Sequence, residues 1–209
     1  MIIDLQNIET VLLDMDGTLL DLHFDNYFWQ THLYQAYSNK HQLSLQESRA
    51  LLEPEFTSRR GTLDWYCVEF WSDKLELDIM QLKTDVAQKI GYRPYVKQFL
   101  AECQRKVSDV RLITNGHRRV LNLKIKRTQL DQYFNDLICS HELGSPKEDQ
   151  QFWHALQKRK GFDPDQTLFV DDSEAVLDSA RDYGIKHVYS IERPDSKMQQ
   201  SRTSKYPMV

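Results

Sequence analysis

Four short stretches of this chain carry side chains suited to chemistry. Asp14 and Asp16 stand one residue apart in Val11-Leu12-Leu13-Asp14-Met15-Asp16-Gly17-Thr18. Side chains alternate along a strand, so the two acids leave the same face of the backbone. Carboxylates that close repel unless a proton or a cation lies between them. An all-oxygen donor set of this kind suits Mg²⁺. Further on come Thr114-Asn115, Lys147 and Asp171-Asp172. Singly, each has an ordinary explanation: turn formers, a solvated lysine, or an aspartate capping a helix. Together they make one set of acids, a hydroxyl and a cation, provided the fold brings them to one place.

The elements around them predict that it does. Apolar runs at 11–13, 109–116 (its end a polar turn), 136–140, 167–170 and 186–191 read as five strands. Helical patterns alternate with them: one from Pro94 through Cys103, one from Arg118 to Thr128, one carrying Phe152, Trp153 and Leu156 with Gly161 as its C-cap, and one running to Gly184. Strands alternating with helices predict an α/β fold with a doubly wound, parallel, five-stranded sheet. Ligands bind outside the C-terminal ends of such strands. The polar pairs follow the first, second and fourth strands, and Lys147 lies in the loop after the third.

Residues 22–91 break the alternation, because the pattern there is helical throughout. A simple crossover between parallel strands needs far fewer residues. We expect a separate helical domain at 22–91 and an α/β core formed by 1–21 and 92–209. Within the insert, Ser44-Leu45-Gln46-Glu47 reads as a capping box. Pro54 is expected to stop or kink the helix that follows. Gly61-Thr62 starts another helix, with Leu63, Tyr66, Cys67, Phe70 and Trp71 on one apolar face. After about Arg193 the chain is polar without a period, which predicts a tail draped on the surface or disordered.

Composition narrows the setting. Of 209 residues, 40% are hydrophobic and 28% charged, and the net charge is −4, so no basic surface argues for nucleic acid. The three cysteines, Cys67, Cys103 and Cys139, lack metal-ligand spacing and are expected as buried free thiols. The N-terminal residues lack a signal-peptide pattern, and no stretch reaches the apolar length of a membrane span. A cytoplasmic protein, monomeric or a small homo-oligomer, is the expectation.

The motifs also resemble those of the haloacid dehalogenase superfamily of phosphatases. Asp14-Met15-Asp16-Gly17-Thr18 is similar to its first motif, Thr114-Asn115 to its second, Lys147 to its third and Asp171-Asp172 to its fourth. The helical insert lies where that superfamily carries its C1 cap. The resemblance implies a magnesium-dependent phosphohydrolase acting on a small phosphomonoester. It implies Asp14 as nucleophile, forming an aspartyl-phosphate, and Asp16 as general acid and base. Thr114 and the Asn115 backbone N–H would bind phosphoryl oxygens, and Lys147 would sit between Asp14 and the phosphate. Asp14, the Asp16 carbonyl and Asp171 would hold the metal, with Asp172 either a further ligand or holding a bound water. Two departures stand out. Many relatives read Lys-Pro where this chain has Pro146-Lys147-Glu148. Ala175 occupies a position that often holds an acid, so Asp172 or Glu174 must supply it.

His23 to Trp29, Leu63 to Trp71 and the loop Gly144 to Gln150 further resemble the bacterial GMP/IMP nucleotidase group, which implies purine 5′-nucleotides as substrates. A phosphatase for another metabolite, such as a sugar phosphate, is the alternative. A phospho-accepting signalling module is a third reading, disfavoured by the helical insert. The cap aromatics are expected mainly as cap core, whereas Asp25 and Asn26 are placed to touch substrate. His117-Arg118-Arg119 are placed either to meet a phosphate or ribose or to form a solvated face.

Overall fold

Runs of apolar residues buried on both faces form the centre of the molecule, as a parallel sheet requires. The computed structural model describes residues 3–198 and 201–209. Its strands are β1 (Thr10–Leu13), β2 (Asp109–Thr114), β3 (Asp136–Cys139), β4 (Thr167–Asp171) and β5 (His187–Ser190). All are parallel, in the order β3-β2-β1-β4-β5. Leu13 lies level with Leu112 on one side and Val170 on the other. Asp14, Thr114 and Asp171 therefore emerge at neighbouring strand ends.

Between β1 and β2 the chain is helical: α1 (His23–Tyr27), α2 (Leu33–His41), α3 (Leu45–Arg59), α4 (Leu63–Tyr66), α5 (Val68–Leu75), α6 (Ile79–Asp85) and then α7 (Val96–Lys106). A π-helical turn, Phe28–His32, joins α1 to α2 without a break. Beyond β2 come α8 (Arg118–Thr128), α9 (Gln150–Arg159) and α10 (Glu174–Tyr183). One sheet face, with Leu12, Ile113, Ile138 and Phe169, packs on α9 and α10 through Phe152, Trp153, Leu156 and Leu177. The other face, with Val11, Leu13, Val110 and Leu112, packs on α7 and α8. Its apolar cluster continues into the inserted helices through Phe24, Phe28 and Trp71. Among the described residues no helix is long and apolar enough to cross a membrane.

Local expectations fare unevenly. Ser44 and Glu47 form a reciprocal capping box. Pro54 does not stop its helix, which runs through it to Arg59. The apolar face from Leu63 to Trp71 is not one helix. Cys67 adopts an extended conformation between α4 and α5, and its sulfur accepts the Phe70 N–H as an N-cap. Cys67 is accordingly half-buried, while Cys103 and Cys139 are buried. Lys160, not Gly161, caps α9, and the Gly161 carbonyl instead accepts from the buried Arg111 guanidinium. The C-terminal residues lie against the core in defined contacts. Ser190 N–H donates to Pro207, Val209 N–H donates to Ser190, and Asp195 is buried.

Candidate functional site

The cavity at the C-terminal edge of the sheet has a volume of about 260 Å³. Strand ends supply its floor: Asp14, Asp16, Thr114, Asn115, Lys147, Asp171 and Asp172. The inserted helices supply its roof, including Asn26, Trp29, Trp65, Tyr66 and Lys83. Every catalytic, phosphate-binding and metal-ligating residue expected from the sequence lines this one cavity.

Lys147 lies at the centre of the floor. Its Nζ donates to Asp14 Oδ1 at 2.6 Å, to Asp171 Oδ2 at 2.7 Å and to the Ile113 carbonyl at 3.2 Å. Burial alone would lower the lysine pKa, but Asp14 and Asp171 beside it raise it above the usual lysine value. The sequence reading set Lys147 between Asp14 and a phosphate; in this structure it bridges Asp14 and Asp171. Its loop is fixed from behind, because Trp153 Nε1 donates to the Lys147 carbonyl at 3.0 Å.

The Asp14, Asp171 and Asp172 carboxylates each place an oxygen within 4.8 Å of the other two. Asp14 Oδ2 is buried with no hydrogen-bond partner. Burial, together with the neighbouring acids, pushes Asp171 up to about 7 and Asp172 well above the carboxylate range. A buried, unpartnered carboxylate oxygen beside two acids whose negative charge burial penalises is an arrangement a hard cation would relieve. The donor set fits Mg²⁺ on these grounds. Glu174 is exposed and outside the cluster, so Asp172 is the second acid of the fourth strand end. Ser173 stands at the N-cap of α10 without a side-chain capping bond, and Asp171 Oδ1 instead accepts the Ser173 N–H at 2.8 Å.

Gly17 shows how closely the first turn meets the last strand end. Its φ is +80°, and a Cβ there would lie 2.6 Å from Asp172 Oδ2. Both the backbone conformation and the approach of that carboxylate require glycine.

Thr114 Oγ1 accepts the Gly116 N–H at 2.9 Å, which shapes the turn after β2. The Asn115 side chain faces the third motif: Oδ1 accepts the Lys147 N–H at 2.9 Å and Nδ2 donates to Glu148 Oε2 at 2.8 Å. The other Glu148 oxygen accepts from the Tyr66 hydroxyl at 2.7 Å. The residue that replaces proline after Lys147 thus ties the sheet edge to an inserted helix. Burial first, then the Glu148 charge, pushes the Tyr66 phenol well above its usual pKa.

Asn26 lines the cavity, yet its Nδ2 donates to the buried Asp195 at 2.7 Å. Asp25 is held by lysines: Oδ2 accepts from Lys124 at 2.6 Å and Oδ1 from Lys83 at 3.0 Å. Lys124 also donates to Asp16 Oδ1 at 2.6 Å. Burial raises Asp16 to about 6 against the lowering effect of Lys124. The same burial would raise Asp25, but Lys124 and Lys83 hold it at about 2. Of the His117-Arg118-Arg119 stretch, only His117 lines the cavity, since Arg118 pairs with Glu142 and Arg119 with Glu69. Most aromatics of the insert pack on one another, with Trp71 fully buried among Trp29, Phe56 and Trp65, while Trp29 and Trp65 also reach the cavity wall.

The sequence reading missed Lys83, Lys124, Tyr66, Asp195 and Arg202. Arg202 approaches Asp172 Oδ2 at 3.5 Å from the C-terminal stretch. Lys124 had a signal: it falls on the buried stripe of α8, three and four residues after Leu121 and Val120.

A family model described as haloacid dehalogenase-like hydrolase matches residues 11–189. The chain is 38% identical over 204 residues to the GMP/IMP nucleotidase YrfG of Escherichia coli (strain K12), an alignment covering 98% of this chain and 92% of that protein. Among solved structures, the HAD phosphatase from Thermococcus onnurineus matches with a TM-score of 0.77 at 23% identity, covering 96% of this chain and 93% of that one. The HAD-hydrolase YfnB from Bacillus subtilis, bound to magnesium, matches with a TM-score of 0.66 at 15% identity, covering 97% and 94%.

Proposed function

The chain belongs to the haloacid dehalogenase-like hydrolases and is a phosphomonoester hydrolase, and from that premise we propose that it hydrolyses the purine nucleoside 5′-monophosphates GMP and IMP to nucleoside and phosphate. The observation that carries the chemistry is the pairing at the first turn. Asp14 has one oxygen held by Lys147 and the other unpartnered, and two residues on Asp16 is held by Lys124 at the cavity wall. The likeness to the E. coli nucleotidase across nearly the whole chain supports the choice of substrate.

Asp14 attacks the phosphorus, and the bond to the 5′-oxygen breaks with its electron pair leaving on that oxygen. Asp16 gives its proton to the departing alkoxide, leaving an aspartyl-phosphate on Asp14. The Asp16 carboxylate then takes a proton from water as the water oxygen attacks phosphorus, and the bond to Asp14 breaks to release phosphate. A carboxyl near 6 can serve in both directions close to neutral pH. Thr114 and the Asn115 main chain stand where phosphoryl oxygens would rest, and Lys147 offsets the charge gathered at Asp14. Mg²⁺ would be held by the Asp14, Asp171 and Asp172 carboxylates and the Asp16 carbonyl, as YfnB of B. subtilis holds magnesium on the same fold. When bound, the ion supplies positive charge against the phosphate oxygens. Residues 22–91 act as the cap over this site, with the core formed by 1–21 and 92–209.

The test is phosphate release from GMP, IMP, AMP, glucose 6-phosphate and p-nitrophenyl phosphate, each with Mg²⁺ and with EDTA. We expect GMP and IMP to be the best substrates and EDTA to stop turnover. Higher kcat/KM on the sugar phosphate would overturn the nucleotide reading, and no release from any of them would overturn the phosphatase mechanism.

A further inference from the structure

Two buried lysines flank the acids of the site without taking a proton or a phosphate oxygen in the steps above. Lys124 is 1% exposed and Lys83 is 2% exposed. A lysine seldom goes so deep unless it is paired, and both are. Lys124 Nζ lies 2.6 Å from Asp16 Oδ1 and 2.6 Å from Asp25 Oδ2, and Lys83 Nζ lies 3.0 Å from Asp25 Oδ1. The four groups form a line, Asp16–Lys124–Asp25–Lys83, with no net charge when all are ionised. The Lys83 end is closed by aromatic faces, with the Phe28 ring centre 4.2 Å from Nζ.

The line crosses between parts of the fold. Asp16 follows β1, and Lys124 comes from α8 on the sheet. Asp25 comes from α1, and Lys83 from α6, both in the insert. Asp16 is the most exposed member, at 23% against 17% for Asp25, and it differs from Asp25 in that only one of its oxygens, Oδ1, is taken by a lysine. Its other oxygen is left for the cavity. An arrangement built only to neutralise a buried lysine would need no acid facing a ligand.

We propose that Lys124 is the positioning residue for Asp16: it anchors Oδ1 so that the other carboxyl oxygen meets the leaving oxygen, and through Asp25 it makes that placement depend on the inserted helices being seated. The proposal rests on the reading of Asp16 as the proton donor. Rotation of the carboxyl about its Cβ–Cγ bond would aim it away from the substrate, and Lys124 restrains that rotation by one short, charge-assisted bond. Asp25 holds the ammonium from the opposite side, so displacement of α1 would loosen both contacts together.

Leaving-group dependence separates positioning from mere support. An alkoxide must be protonated as it leaves, whereas p-nitrophenolate leaves without help. The experiment measures kcat and KM for GMP and for p-nitrophenyl phosphate in the wild type and in Asp16→Asn, Lys124→Met and Asp25→Asn. General acid catalysis is worth about 10²–10⁴-fold, so Lys124→Met is expected to lose at least about tenfold more in kcat on GMP than on p-nitrophenyl phosphate. Asp25→Asn keeps Lys124 and is expected to show a smaller loss with the same substrate bias. In the Asp16→Asn background, Lys124→Met should add no further bias. Equal losses on both substrates would overturn the proposal, as would a loss confined to KM. Should Lys124→Met fail to fold, the bias in Asp25→Asn decides, because that change is isosteric and weakens the hold on the Lys124 ammonium without removing it. Absence of bias in Asp16→Asn itself would instead overturn the reading of Asp16 as acid.

Discussion

The Tyr66 hydroxyl donates to Glu148 Oε1 at 2.7 Å, while Asn115 Nδ2 donates to the other oxygen of the same carboxylate at 2.8 Å. One side chain thereby joins α4 of the insert to the turn after β2 and to the loop that carries Lys147. Tyr66→Phe removes one bond and leaves a carboxylate oxygen without its partner. A hydrogen bond to a charged group contributes about 1.5–3 kcal/mol, so a loss of about that size in unfolding free energy is expected. Glu148→Ala should cost more, since it strands both donors. The two changes should be non-additive in a double-mutant cycle from urea unfolding. Additive losses would show that the bond does no work in holding the insert to the sheet.

Asp14→Asn should abolish turnover, with a fall of at least about 10³-fold in kcat, because an amide is a poor nucleophile. The fold should persist. Asparagine keeps the volume, its Oδ1 can still accept from Lys147, and Lys147 retains Asp171 and the Ile113 carbonyl. Phosphate release with an unchanged far-ultraviolet circular dichroism spectrum checks both halves. Retained turnover would place the nucleophile elsewhere.

The strand ends were legible because a parallel sheet collects them at one edge. Asp14, Thr114, Lys147 and Asp171 lie far apart in the chain, yet the register that sets Leu13 beside Leu112 and Val170 brings them together. The partners of those residues were harder to read. Lys124 sits on a helix rich in charge and Lys83 on a short one, in both of which a lysine ordinarily faces water, and only their place on the buried stripes marks them. The Asn26–Asp195 and Asp172–Arg202 contacts join segments with no common pattern, and a polar tail carries no periodicity to show which of its residues is buried. The break at Cys67 was illegible for a different reason. The apolar spacing on either side is helical, and tertiary packing, not local preference, splits it into α4 and α5.

Trp71 is the keystone of the inserted helices. It is fully buried, its ring meets those of Phe56, Trp29 and Trp65, and its Nε1 donates to the Trp65 carbonyl at 2.9 Å. Trp71→Ala should cost at least about 3 kcal/mol. For a chain of this size that corresponds to a fall in Tm of at least about 6 °C. Activity should fall as well, because Trp29 and Trp65 wall the cavity and rest on Trp71. Calorimetry and GMP hydrolysis on the same preparation check the pair, and an unchanged Tm would mean the insert does not depend on this cluster.

Metal and pH should act on stability through the same three acids. Burial, reinforced by the neighbouring acids, raises Asp171 to about 7 and Asp172 well above the ordinary carboxylate value. A group whose folded pKa is raised contributes stability that is present below its unfolded pKa, about 4 for aspartate, and is lost as pH rises through the folded value. The metal-free protein should therefore lose stability as pH rises from about 4 through about 7 on account of Asp171. His117 and His141 act in the opposite direction, since burial holds both below the usual histidine value and each therefore adds stability as pH rises through the unfolded value of about 6.5. Measured in EDTA at pH 6.5 and pH 8, the change in Tm with rising pH should be less favourable in the wild type than in Asp171→Asn, which keeps both histidines. Mg²⁺ binds the deprotonated acids, so its stabilising effect should be larger at pH 8 than at pH 6.5. Equal Mg²⁺ effects at the two pH values, with the same slope in Asp171→Asn, would show that these carboxylates are not the groups a cation relieves.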